Sequence, residues 1–211
     1  MKRSITVWMA GVVALVCAAS VCAHHSGSMY SPSPVWISGT VVRFDAVNPH
    51  TVTAIEARSA DGQIRQWAVE GPGRDQINRL AVDRYVPQVG DAISFCAFPY
   101  KSADELSRLF PDADFSRSRA AAADASLPRY VAGHVMIVPG GELQLWEPHG
   151  LIGACIQSSD APRETWLAFI DSDPRVRDGW CTQRTYAVVQ SNAELRETVE
   201  EVNASLDSPC R

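Results

Sequence analysis

The chain has 211 residues, 46% of them hydrophobic, and a formal net charge of −5. That hydrophobic content supports a folded core and excludes a disordered, highly charged polymer. The acidic balance argues against nonspecific binding to nucleic acid or to anionic membrane, since both draw on positive charge.

Lys2 and Arg3 precede an apolar run from Ile5 to Ala19, and small residues follow at Val21-Cys22-Ala23. Val21 and Ala23 fit the −3 and −1 positions of a signal-peptidase site, so residues 1–23 read as a signal peptide. A membrane anchor fits less well, because the run is shorter than the ~20 apolar residues a span needs and no basic stop-transfer cluster follows. Lipid attachment at Cys17 or Cys22 would put Val16 or Val21 where lipoprotein signals need Gly, Ala or Ser. The expected location is periplasmic or secreted, with no stable membrane insertion after cleavage. No acidic residue lies in the leader, so its loss takes the net charge from −5 to −7.

Cleavage after Ala23 would start the mature chain at His24-His25. His24 would then offer its α-amino and ring nitrogens to one metal, and His25 or His50 would complete a nitrogen-rich set of the kind that suits Cu(II). Cleavage after Cys22 would put histidine third, another copper-chelating arrangement. A frayed, solvated terminus is the plainer reading of the same residues.

From Val35 to Pro99 the chain is β-like. Val35 to Phe44 reads as a long strand, with Gly39 marking a bend or bulge. Asn48-Pro49-His50 reads as a turn, in which Asn bonds its own backbone and Pro fixes φ. Thr51 to Ala57 is a second strand, Asp61-Gly62 a turn, and Gln63 to Glu70 a returning strand of period two. Asp75 to Val82 has the spacing of a short helix, and Ala92 to Phe98 is an apolar strand. Residues 101–128 read as a mobile insertion with a short helix at Asp104 to Phe110. Tyr130 to Val138 and Glu142 to Trp146 form a second hairpin around Pro139-Gly140-Gly141. Beyond Leu151 the pattern is helical, at Ala161 to Ile170, Thr182 to Gln190 and Ala193 to Ser205. The Ser191 hydroxyl, with Glu194 three residues on, makes a capping box for the last of these.

These elements predict a mainly β fold, α+β overall. It is a small OB-like antiparallel barrel of five to six strands with a disulfide-pinned C-terminal helical subdomain. The expected boundaries are 24–148 for the barrel-like domain, containing the insertion 101–128, and 149–211 for the helical subdomain. Four cysteines survive leader removal: Cys96, Cys155, Cys181 and Cys210. An even count in an exported chain favours two disulfides, with three connectivities open. The short loop between Cys155 and Cys181 favours pairing those two, which leaves Cys96 for Cys210.

Ala23-His24-His25-Ser26, Gly39-Thr40-Val41, Asn48-Pro49-His50, Asp61-Gly62, Trp67-Ala68-Val69-Glu70 and Gly90-Asp91 occur in a familiar order. The chain resembles a family of exported bacterial proteins of unknown function. Its members combine a His-His-Ser start, an Asn-Pro-His turn and a Trp-x-Val-Glu strand. The resemblance covers roughly residues 23 to 100. It implies export and a small β-rich domain, and it brings no catalytic precedent. Gly27-Ser28-Met29-Tyr30 and Ala46-Val47 stand where members often carry Phe and Asp, and an aromatic residue.

Neither His134, within a strand, nor His149 has a spaced partner on its own element, so His134 reads as packed on the sheet and His149 as a helix cap or as joining a site with Glu147. Trp36, Trp67, Trp146, Trp166 and Trp180 read as core residues, each needing one hydrogen-bond partner. No Gly-x-Ser-x-Gly, phosphate-binding glycine loop or His-Glu-x-x-His occurs. The expected function is an exported, non-enzymatic binding or accessory protein for a small ligand or protein partner. A copper-binding protein using His24, with His25 and His50, is the alternative, and a hydrolase a distant third.

Overall fold

The structure is a computed structural model that describes residues 29–59, 61–80, 84–111, 114, 116, 128–147 and 151–210. The leader, the His24-His25 pair, most of the 112–127 segment and His149 lie outside the described residues. Strands β1 (Val35–Asp45), β2 (Thr51–Arg58) and β3 (Ile64–Gly71) are followed by helix α1 (Arg74–Leu80) and strand β4 (Ala92–Pro99). Helix α2 (Ala103–Leu109) precedes β5 (Arg129–Ile137) and β6 (Leu143–Leu145). Five helices complete the chain: α3 (Ile152–Gln157), α4 (Arg163–Ser172), α5 (Pro174–Gln183), α6 (Ala187–Ser191) and α7 (Ala193–Ala204).

The sheet runs β3-β2-β1-β4-β5-β6 and closes on itself where β3 pairs with β5. The barrel therefore has the strand cycle 1-2-3-5-4 with a helix between β3 and β4, an OB-like arrangement. The expected all-antiparallel barrel needs one correction. Trp67↔Arg129 to Glu70↔Ala132 pair in parallel, while the remaining ladders are antiparallel. Five strands in a closed ring cannot all alternate in direction, so with the other four ladders of the ring antiparallel the closing pair of β3 and β5 has to be parallel.

Alternation along each strand separates two cores. Ile37, Val41, Ile55, Val69, Phe95, Val131 and Met136 fill the barrel interior together with Trp146. The Trp146 indole lies so close to the backbone at Gly71 that a Cβ there would come within 2.0 Å of Nε1. On the outer face Cys96, Phe98, Val135 and Leu145 join Ile152, Trp166, Trp180, Val199 and Val202 of the helices. Trp146, Trp166 and Trp180 are fully buried, whereas Trp36 and Trp67 are half-buried. Each buried indole takes on the order of 200 Å² out of water, which stabilises the fold by about 5 kcal/mol before entropic offsets. The expected indole partners are not there: Nε1 of Trp36, Trp146, Trp166 and Trp180 finds no acceptor among the described residues. Area burial outweighs the lost bond in each case.

Several local expectations shift. Gly39 is not the bulge. The register slips between Val41 and Arg43, while Gly39 permits close approach of β2, since a Cβ there would lie 2.1 Å from the Glu56 carbonyl oxygen. The Asn48 side chain bonds α1 and not its own turn, accepting from Asp75 N–H at 3.2 Å. The expected helix Thr182 to Gln190 divides, because Asp173 caps and Pro174 opens α5 eight residues earlier, and the chain turns at Arg184–Thr185 before α6. Asn192, rather than Ser191, caps α7, its Oδ1 accepting from Leu195 N–H at 3.1 Å, while the Ser191 hydroxyl donates to the Val188 carbonyl. The disulfides are Cys96–Cys155 and Cys181–Cys210, with Cα separations of 5.8 and 5.5 Å, and not the pairing favoured by loop length. Packing decides this. Cys96 faces outward from β4 against α3, which carries Cys155, while the final turn brings Cys210 back onto α5.

His134 organises the junction between barrel and helices. Cys96 faces Val135 and Ala97 faces Gly133, so His134 is the extra residue of a bulge in β5. Its carbonyl accepts from both Trp146 and Glu147 N–H, and its Nδ1 accepts from Leu151 N–H at 2.8 Å, at the start of α3. The ring packs on Phe98, with centroids 4.4 Å apart. Burial pushes its pKa from the ordinary 6.5 down to about 4, so the neutral Nε2–H tautomer is the folded form. A folded-state pKa below the unfolded one means stability that is complete above pH 6.5 and lost as pH falls towards 4, on the order of 3 kcal/mol in all. Thermal unfolding followed from pH 7 to pH 4 is expected to show this loss, and a His134→Gln variant to flatten it; an equally steep profile in the variant would contradict the assignment. Replacing both Cys96 and Cys155 by alanine is expected to cost about 2–5 kcal/mol in denaturant unfolding, by freeing the helices from β4.

Candidate functional site

The barrel interior is filled, so chemistry is confined to the outside. A cluster of interacting ionisable groups lies at the seam where the barrel meets the helices. His50 ends the β1–β2 loop, and the pairing of Thr51 with Gly71 puts it beside the end of β3. Its Nδ1 lies 3.3 Å from the Gly71 carbonyl oxygen and 3.9 Å from Glu70 Oε1. Glu70 faces outward because the alternating side chains of β3 send Val69 into the barrel.

Two phenols hold the other oxygen of Glu70. Tyr100 donates to Oε2 at 3.0 Å and Tyr30 at 3.2 Å, with their own oxygens 3.3 Å apart. The pair is built by the backbone. Tyr30 bridges Tyr100, Ser31 N–H donates to the Pro99 carbonyl, and Lys101 N–H donates to the Met29 carbonyl. Residues 29–31 thus lengthen the sheet alongside the end of β4. Burial, with Glu70 nearby, pushes the Tyr30 phenol up to about 12, and burial with its bond to Tyr30 raises Tyr100 further. Both phenols therefore stay protonated donors at any physiological pH.

Glu147 lies just past β6, held by its backbone bond to His134. Burial raises its pKa, His50 and Arg84 pull it down, and the Glu70 charge raises it. The same carboxylate also raises the phenols of Tyr30 and Tyr186. Arg84 is itself lowered by desolvation and by Arg175, against the opposing charges of Asp173 and Glu147. The cluster thus gathers Tyr30, His50, Glu70, Arg84, Tyr100 and Glu147, drawn from six separate stretches of chain.

Such a cluster offers carboxylate acceptors with fixed donors around them. It does not offer an activated thiol, since all four cysteines of the described residues are in disulfides. Among the described residues no group of three or more His, Cys, Asp or Glu side chains stands ready to hold a metal ion. Of the residues expected to bind metal, His50 is at the seam, while His24 and His25 lie outside the described residues. Sequence reading missed Tyr30, Tyr100 and Arg84, and placed Glu70 only as the last residue of a returning strand. The signal that was there is the outward position of Glu70 beside an Asn-Pro-His loop; nothing local pointed to the tyrosines.

The opposing influences on Glu147 can be separated. In Glu70→Gln its carboxyl pKa is expected to fall, and in His50→Ala to rise, when followed by NMR titration of the side chain. No change in either variant would mean that the three groups do not share one field.

Residues 12–107, just under half of the chain, match a family of unknown function, DUF6152. No curated protein and no solved structure matches the chain. The matched segment carries Tyr30, His50, Glu70, Arg84 and Tyr100 but ends before Glu147 and the C-terminal helices.

Proposed function

We propose that the protein is an exported, non-enzymatic binding or accessory protein that meets its ligand at the Tyr30–His50–Glu70–Glu147 seam. The observation that carries this reading is the doubly held Glu70 beside His50, with a second half-buried carboxylate at Glu147. Burying ionisable groups costs free energy that apolar packing would avoid, so such a cluster points to recognition. The loop between the first two strands is a ligand-contacting loop in OB-like barrels, and here it carries His50. Carboxylate acceptors with fixed donors suit a small ligand bearing positive charge or hydrogen-bond donors. In this reading residues 1–23 are the leader, 24–148 the barrel-like domain and 149–211 the helical subdomain. Two disulfides fit an oxidising compartment, periplasmic or extracellular, and no helix among the described residues is long and apolar enough to cross a membrane.

Copper binding is the second reading, and one observation favours it. Tyr30 is tied to Glu70, next to His50, so the segment that carries His24 and His25 enters the fold at the seam. His25 is five residues upstream of Tyr30, an extended reach of about 17 Å at most. With cleavage after Ala23, the amino and ring nitrogens of His24, together with His25 or His50, would supply the ligand set of Cu(II).

The test is to express the chain with its own leader, sequence the N-terminus of the processed protein, and examine it by native mass spectrometry and Cu(II) titration. Expected results are a mature start at His24, four oxidised thiols, and a bound adduct that is lost in Glu70→Gln. In the copper reading His24→Ala weakens Cu(II) binding at least tenfold, a loss of about 1.4 kcal/mol. Equal, weak Cu(II) binding by both proteins ends the copper reading. A protein kept in the cytosol with free thiols ends the export reading, and an adduct retained by folded Glu70→Gln moves the site away from the seam.

A further inference from the structure

The helices carry a second site that the seam does not explain. Helices α5, α6 and α7 line a cavity of about 270 Å³, half open to solvent and with the volume of roughly nine water molecules. Arg184 and Thr185 come from the turn after α5, Val189 from α6, and Arg196, Val199 and Glu200 from α7. Two guanidinium groups therefore line one small cavity in an acidic protein, with one carboxylate between the same walls.

Each guanidinium is aimed by a backbone bond. Arg184 Nη1 donates to the Cys210 carbonyl at 2.9 Å, and Arg196 Nη1 donates to the Gln190 carbonyl at 3.1 Å. A guanidinium has five N–H donors, so each of these bonds orients the fork and leaves donors over. Neither arginine forms an ion pair with a carboxylate among the described residues. The wall is held by the Cys181–Cys210 disulfide and by Asn203, whose Oδ1 accepts from Cys210 N–H at 2.8 Å. The disulfide thus positions Arg184 through the carbonyl that this side chain bonds.

Planar guanidinium forks match the geometry of a carboxylate. Val189 and Val199 give the cavity an apolar part to meet a short side chain, and Glu200 supplies an acceptor for an ammonium group. The geometry points to a binding site for a small α-amino acid, its carboxylate between Arg184 and Arg196 and its ammonium on Glu200. This site lies beyond residue 107, outside the part of the chain that matches the family. It is independent of the seam.

The test is isothermal titration of the full, oxidised protein with glycine, alanine and valine, and with isobutyrate and inorganic phosphate as comparisons. Saturable binding of alanine or valine is expected, at least tenfold tighter than of isobutyrate. Arg196→Gln is expected to weaken it at least tenfold, and Arg196→Lys, which keeps the charge but loses the fork, to weaken it less. Glu200→Gln is expected to abolish the preference for valine over isobutyrate. Cys181→Ser with Cys210→Ser, which leaves Cys96–Cys155 intact, is expected to weaken binding by releasing the Arg184 anchor. Unfolding curves of each variant identify loss of fold. No saturable binding of any amino acid, or equal binding by folded Arg196→Gln and Arg196→Lys variants and the native protein, overturns the site. Phosphate binding tighter than any amino acid overturns the ligand class.

Discussion

Strand β5 bonds three neighbours: β3 along its first half, β4 along most of its length, and β6 at its end. The parallel pairing with β3 closes the barrel, and the rest of the molecule follows from that closure. It shuts an interior lined by Val69, Val131 and Met136, which Trp146 then fills from the end of β6. A barrel filled in this way has no lumen to offer a ligand. Its outer surface has to do two jobs, carrying the helices and presenting whatever chemistry the protein uses.

The bulge at His134 lets one strand serve both purposes. By inserting one residue it shifts the alternation of β5, so that Val131 and Gly133 point inward and Val135 points out to the helices. The displaced imidazole accepts the first N–H of the helical part, and the displaced carbonyl collects Trp146 and Glu147. Glu147 is thereby delivered to the seam, where Glu70 and His50 arrive from the opposite side. Structural junction and candidate site share a backbone carbonyl. Acid strain at His134 and altered charge at the seam are therefore neighbouring effects with separate causes, desolvation of a ring in one case and mutual fields of carboxylates in the other.

The helical part contributes differently. Its own packing, around Trp166 and Trp180 and against β4, is mainly apolar. The polar cavity beside Cys181 borders that packing at Val189 and Val199, among α5, α6 and α7. Seam and cavity draw on different segments, and only the first lies mostly within the matched family region. A molecule of this shape can combine a function common to the barrel with one that belongs to its C-terminal helices.

The order of strands, the hairpin at Asp61-Gly62, the helix after β3 and the helical character beyond Leu151 were legible in the sequence, because each rests on periodicity or turn chemistry within a few residues. His50 was legible as a candidate for the same reason, since Asn-Pro-His marks a loop wherever it falls. What no local pattern contains is the meeting of distant segments. Parallel closure by β5, the pairing of Cys96 with Cys155 and of Cys181 with Cys210, and the convergence of Tyr30 and Tyr100 on Glu70 all join residues 29 to 70 positions apart. Loop length favoured the wrong cysteine pairs because chain entropy changes slowly with length, whereas packing of an outward cysteine on β4 against α3 admits one partner. The sequence by itself determined which segments are strands, which are helices and which faces are apolar. Tertiary structure alone decided which polar groups those faces bring together, because that depends on closure and crossing of elements and not on any property of the elements themselves.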